Sequence, residues 1–356
     1  MTPLHRPAAA AVLFAGALLL GWAPGAWAVD YDKIKQIAKD GGIAELRMTE
    51  AGGASGDSIQ AGYLEPFQKA SGITVVRENP SGLGKLRAMV EAGSVTSVLL
   101  ELGSPELEQA KALDLVEPLD WDAIGPQPMF EEARQEYGYG YQYYSTIMAW
   151  RSDAKAPANW REFWDTKNFP GKRTLPDYPT YILPMALLAD GVAAADLYPL
   201  DLDRAFASLE KIKDSVAVWW QAGAQPPQLL KDNEVQYAVA WSGRVAGQPG
   251  IDYSFNEGQL DLSYFAVPKG ADANQKAAAM GILYEMSVPE NQAKAAEVVS
   301  YTGNSPELEP LLPKDRLSEF PTTSANKDKQ ILANAKWWFE NADEVETRWQ
   351  EFKLGL

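Results

Sequence analysis

Cysteine is absent from all 356 residues, and the single histidine, His5, lies in the N-terminal leader. Whatever this chain folds into must therefore be held by apolar packing and hydrogen bonds alone. Disulfides, thiolate or imidazole metal sites and cysteine nucleophiles are out of reach. So are the Ser-His-Asp and Cys-His arrangements. Carboxylates and lysines are left for catalysis, without the commonest acid–base side chain. Nothing in the residues implies a cofactor or a metal.

The leader sets the compartment. His5 and Arg6 precede an apolar run from Ala8 to Leu20, Pro24-Gly25 break it, and Ala26-Trp27-Ala28 has the small-x-small form of a signal peptidase site. Residues 1–28 read as a cleaved signal peptide and the run as too short for a membrane span. Without a lipidated cysteine, a free periplasmic protein is expected. The 48 acids exceed the 32 Lys and Arg, a net charge of −16. Such a surface repels nucleic acid and anionic lipid, and solubility explains it without a cationic partner. The roughly 330 residues after the leader exceed what one core usually holds, so two domains are expected.

Short apolar strands alternate with amphipathic helices, the pattern of an α/β fold with mainly parallel sheets. Ala44–Met48 is a first strand, running into the small-residue loop Thr49–Ser55. Ile73–Val76 and Val95–Leu100 follow, and Gly103-Ser104-Pro105 opens a helix. In Tyr137–Trp150 tyrosines recur at 137, 139, 141 and 143, the period of a strand with one tyrosine-lined face. A second α/β unit includes Val216–Trp220 and Val235–Trp241, and Leu260–Val267 reads as a strand returning to the first unit. Near the C-terminus, Trp338, Val345, Trp349 and Phe352 share one helical face, which core packing explains better than ligand stacking.

The order of several segments resembles the spermidine/putrescine-binding family of extracellular solute-binding proteins. The resemblance runs through Tyr144–Asp153, Asn159–Asp165, Phe169–Arg173, Ala186–Val192, Leu197–Asp201, Trp219–Gln225, Ala240–Arg244 and Ala266–Gly270. It implies a type II two-lobed periplasmic-binding-protein fold, each lobe a mainly parallel sheet flanked by helices. Carried over, lobe 1 is 29–145 with 266–325, and lobe 2 is 146–265. The chain would cross at Tyr144–Thr146 and return at Phe265–Val267. The tail, 326–356, would pack its helix on the first lobe. The implied role is the substrate-binding component of an ABC importer, not an enzyme. Its partners would be a small-molecule solute and a membrane permease, and it would act as a monomer.

In such sheets ligands lie beyond the carboxyl ends of strands, which selects the candidate residues. Gly52 and Gly53 allow close approach of backbone N–H groups, the alternative being an ordinary tight turn. Ser104, Tyr144 and Tyr181 stand at strand ends or helix starts facing the expected cleft. Of the adjacent Trp219 and Trp220 one must be core; Trp220 with Gln221 is the choice for the cleft, and Trp241 is a further aromatic wall. Arg244, just past a strand end, can pair with a carboxylate or phosphonate, against the plainer reading of an interlobe salt bridge. The family implies a Trp-x-Asp pair holding the amine, whereas this chain has Asp261 and Ser263 there. An ammonium on Asp261 or Glu50 and a carboxylate on Arg244 would suit an amine-plus-carboxylate solute better than a plain polyamine. Two other functions compete: a ferric-iron receptor of the same fold using Tyr143 and Tyr144, and a carboxylate-based hydrolase.

Overall fold

The computed structural model describes residues 29–355; the expected signal peptide, 1–28, lies outside them. Ten strands form the sheet: β1 (Glu45–Thr49), β2 (Thr74–Glu78), β3 (Leu99–Gly103), β4 (Val116–Glu117), β5 (Tyr139–Arg151), β6 (Arg173–Pro176), β7 (Val216–Trp220), β8 (Tyr237–Trp241), β9 (Ile251–Pro268) and β10 (Ile331–Leu332). Their main order is β2-β1-β3-β9-β5-β8-β6-β7, with β4 and β10 also pairing β9. The outer strands pair in parallel within each half, β2-β1-β3 and β8-β6-β7. The antiparallel pair β5 and β9 joins the halves. At about 3.4 Å per residue, β9 reaches roughly 60 Å, far more than one lobe needs.

Apolar packing divides the chain in two. Leu46, Met48, Phe67, Phe265 and Leu283 build a core on one face of the first half, with Leu100, Leu102 and Leu262 on the other. In the second half β5 alternates: Met148 and Trp150 join Trp160, Leu187 and Phe206, while Ile147 and Ala149 join Leu230 and Ala240.

Three expectations change. The tyrosines do not share one face, because the pairing slips between Gly140 and Gln142 and makes Tyr141 the extra residue of a bulge. Tyr139 and Tyr141 pack in one core and Tyr143 in the other. That half-step turns Gln142 and Tyr144 toward the cleft. The return crossing is also earlier than Phe265–Val267. Phe255 packs with the second half, whereas Leu260, Leu262 and Phe265 pack with the first. Between them, opposite Ile147, the ladder is interrupted, Glu257 has φ +55°, and a Cβ at Gly258 would fall 2.9 Å from Ile147 Cγ2. In the sequence the kink falls in the polar stretch Asn256-Glu257-Gly258-Gln259, just before the strand read from Leu260 onward.

The tail helix is the third correction. It is two helices, Ala335–Glu340 and Ala342–Lys353, and the stripe they share, Trp338 on the first and Val345, Trp349 and Phe352 on the second, is buried in the second lobe rather than the first. Trp219 supplies the receiving surface, with its ring 5.7 Å from both Trp349 and Phe352. Asp177 fixes the end, accepting bonds from Trp349 Nε1 at 3.2 Å and Lys353 Nζ at 2.9 Å. The short helix Ala335–Glu340 also lies along Ser104–Ala112 of the first lobe, and Lys327 pairs with Glu132 there at 3.6 Å.

Candidate functional site

Between the halves, where the parallel strands end, lies a cavity of about 230 Å³. This is smaller than the ~300–1,000 Å³ typical of drug-sized ligands. From the first lobe come Glu101 and Gly103 at the end of β3, Ala51 beyond β1, and Ser263 on β9. The central strand β5 contributes Gln142 and Tyr144, and the second lobe Tyr181, Trp241 and Arg244.

The first-lobe end is acidic. Glu101 is buried, accepting from Tyr141 Oη at 2.8 Å through Oε1 and from the Ala51 N–H at 2.8 Å through Oε2. Burial pushes its carboxyl up, beyond what these donors and Ser263 restore. Asp261, also buried, sits behind Tyr144 and accepts from Ser104 Oγ at 2.5 Å and the Leu262 N–H at 2.9 Å. Burial pushes it up as well, against the pull of Ser104, Leu262 and Tyr144. Neither acid has a cationic partner among the described residues. Tyr144 and Tyr181 meet hydroxyl to hydroxyl at 3.2 Å. Burial, then the nearby Asp261, holds both phenols up and therefore neutral at ordinary pH.

The second-lobe end is cationic. β8 delivers Trp241, and one helical turn, Ser242–Val245, places Arg244 beside it. Arg244 makes no ion pair among the described residues, and its buried Nε has no hydrogen-bond partner, nor has Trp241 Nε1. A buried polar group without a partner costs roughly 1–3 kcal/mol, more when charged. Such a group aimed into a cavity is suited to an anionic ligand. Trp241 stands edge-on to Tyr181 and Tyr144, at 5.8 and 6.4 Å between ring centroids, leaving an aromatic wall for a short alkyl chain.

Residues 62–321 match the family of bacterial extracellular solute-binding proteins. The chain belongs to that family. A gamma-aminobutyric acid-binding protein of Pseudomonas aeruginosa is 35% identical over 316 residues, 85% of this chain and 89% of that one. An ABC transporter substrate-binding protein from Bradyrhizobium japonicum USDA 110 superposes with a TM-score of 0.82 at 33% identity, covering 87% of this chain and 99% of that one. The structure of a GABA receptor gives 0.80 at 32% identity, covering 86% and 97%. This solute-binding protein is therefore the substrate-binding component of an ABC transporter and not an enzyme. Among its described residues no helix is long and apolar enough to cross a membrane, and no three His, Cys, Asp or Glu are grouped to hold a metal.

Of the candidates, Tyr144, Tyr181, Trp241 and Arg244 line the binding protein's cavity. Ser104 and Asp261 stand one layer behind it, bonded to each other. Gly53 approaches Arg244, its Cβ position lying 3.9 Å from Nη1, whereas Gly52 faces Asn79. Three candidates turn elsewhere. Glu50 is spent on the Gly52 N–H and on Arg77, 3.5 Å away, bracing the loop rather than the ligand. Trp220 is wholly buried beneath Trp241, its Nε1 donating to the Val239 carbonyl at 2.8 Å; the sheet beneath the site, not the cleft, takes that face of β7. Gln221 is exposed and bonded to Asp177 at 2.8 Å. The ferric reading needs Tyr143 beside Tyr144, but Tyr143 packs against Phe130 in the core.

Glu101, Glu106, Gln142 and Tyr301 also line the cavity and were not picked out from sequence. Glu101 carried a signal, an acid inside the apolar run Leu99-Leu100-Glu101-Leu102. Tyr301 carried none.

Proposed function

We propose that this protein captures a short ω-amino acid, γ-aminobutyrate above all, in the periplasm and presents it to the membrane permease of an ABC importer. The observation that carries this reading is Arg244: a guanidinium without an acid partner among the described residues, turned into a small cavity that Glu101 also lines, with Asp261 behind Tyr144. A fork of N–H donors fits a carboxylate, and buried acids lacking a cation fit an ammonium. Relatives named for γ-aminobutyrate support the same class. Closure would bend β5 and β9 near Thr146 and Gly258, bringing Arg244 toward the acids.

Isothermal calorimetry tests the reading. γ-Aminobutyrate should bind, while butanoate and putrescine, each lacking one charged end, should bind weaker by about two orders of magnitude or more. Putrescine binding as tightly as γ-aminobutyrate would restore the polyamine reading and sink this one.

Binding should also be proton-linked. In the empty site Glu101 and Asp261 sit above the ordinary carboxylate range. An ammonium favours their charged forms, so capture expels protons. Affinity should then rise as pH climbs through the raised values and fall toward acid. Calorimetry in two buffers of different ionisation heat reads this release. Proton uptake, or no exchange throughout the range just above ordinary carboxylate values, would remove these two acids from the amine end.

A further inference from the structure

Arg244 shares its cavity with Glu101 and Glu106 in a protein of net charge −16. Arginine is long and rich in rotamers, and in a cavity of low dielectric it gains by closing on any carboxylate within reach. A site that quenched itself in this way would have no free guanidinium to offer. Yet Arg244 forms no ion pair among the described residues, so something in its surroundings holds it off.

The surroundings are steric and aromatic. The Tyr301 ring lies so close over Gly243 that a Cβ there would fall 2.5 Å from ring Cε1 and 2.8 Å from Cδ1. On the other side, a Cβ at Gly223 would fall 2.6 Å from the Trp241 ring and 3.3 Å from Arg244 Nε. Tyr301 is itself buried and firmly placed. Its neighbour Thr302 exchanges two backbone hydrogen bonds with Tyr143 of β5, at 2.7 and 3.2 Å. Its ring also lies 6.1 Å from that of Tyr144. Burial pushes the Tyr301 hydroxyl up, and the charge and donors of Arg244 pull it part of the way back, which places the two groups side by side.

We propose that Tyr301 is a positioning residue that keeps Arg244 at its own end of the cavity, away from Glu101 and Glu106, and so preserves a free guanidinium for the solute's carboxylate. This rests on the ω-amino-acid reading for its purpose, but not for its geometry. The ring does the positioning, so Tyr301→Phe should hold γ-aminobutyrate within about threefold of wild type, while Tyr301→Ala weakens it roughly tenfold or more. Proton release on binding should shrink in Tyr301→Ala where Arg244 closes on Glu101, because that raised carboxyl is then already ionised before the solute arrives. A merely structural loss of affinity would leave that release unchanged.

The crystal structure of ligand-free Tyr301→Ala is the decisive measurement. Arg244 should move to ion-pair distance from Glu101 or Glu106. Gly243→Ala, which pushes the ring aside without deleting it, should give the same displacement and serves if the first variant does not fold. Arg244 unmoved in either variant overturns the proposal, whatever the protein binds. Arg244 displaced in a protein that binds no ω-amino acid would overturn the function and leave the positioning role standing.

Discussion

Arg244→Ala should abolish useful capture of carboxylate-bearing solutes, weakening γ-aminobutyrate by about 2–5 kcal/mol, or roughly thirty- to several-thousand-fold. The loss is that large because the variant leaves the solute's carboxylate desolvated in a cavity with no other cation lining it. Two companion results separate this from general damage. The empty variant should be no less stable than wild type in a thermal melt, since the deleted guanidinium had no acid partner and an orphaned Nε. Putrescine should bind no worse, because removing a cation removes repulsion. Arg244→Lys should fall between, keeping charge while losing the planar fork. Wild-type affinity in Arg244→Ala would end the carboxylate assignment. A large drop in melting temperature would instead make Arg244 part of the scaffold.

That arginine was legible because its signal is local. An apolar strand, Tyr237–Trp241, ends and a small-residue turn carries the next charged side chain into the cleft. The parallel halves and the connecting strand β5 were legible for the same reason, as period and punctuation survive in a single sequence, whereas β9 was read only from Leu260 onward. What was lost depends on partners distant along the chain. Nothing around Tyr301 announces Gly243, and nothing in Trp219-Trp220 says which side of β7 faces the cleft. Strand parity puts the two rings on opposite sides, and here both sides are filled, one by Trp241 and the other by the tail. The bulge at Tyr141 shows the cost of one extra residue: period two continues in the letters while the side chains change faces. Glu50 and Glu101 were both visible as acids near strand ends. Only the spatial position of Arg77 shows that the first is occupied.

The tail gives the second large effect. An apolar stripe at helical spacing says that a face is buried, not against what, and the surface that receives it is built by β7 and the Leu202–Ile212 helix. Trp349 is 2% exposed and packs its ring 5.7 Å from Trp219, 6.4 Å from Phe206 and 5.5 Å from Phe352. Trp349→Ala should therefore cost about 3–5 kcal/mol, the range for a large aromatic side chain removed from a packed core. The loss should be read where it falls. Hydrogen exchange should quicken in Leu202–Ile212 and Val216–Trp220, while β1 and β2 of the first lobe keep their protection. Trp349→Phe should recover most of the packing but not the Nε1 bond to Asp177, leaving a deficit of about 1 kcal/mol. Faster exchange confined to the first lobe would return the tail to where the sequence alone had put it. Exchange rising in both lobes together would mean that the helix Ala335–Glu340, which touches Ser104–Ala112, couples their stabilities. The long tail helix, Ala342–Lys353, packs into the core of the second lobe, so it travels with that lobe, and with Arg244, when β5 and β9 bend.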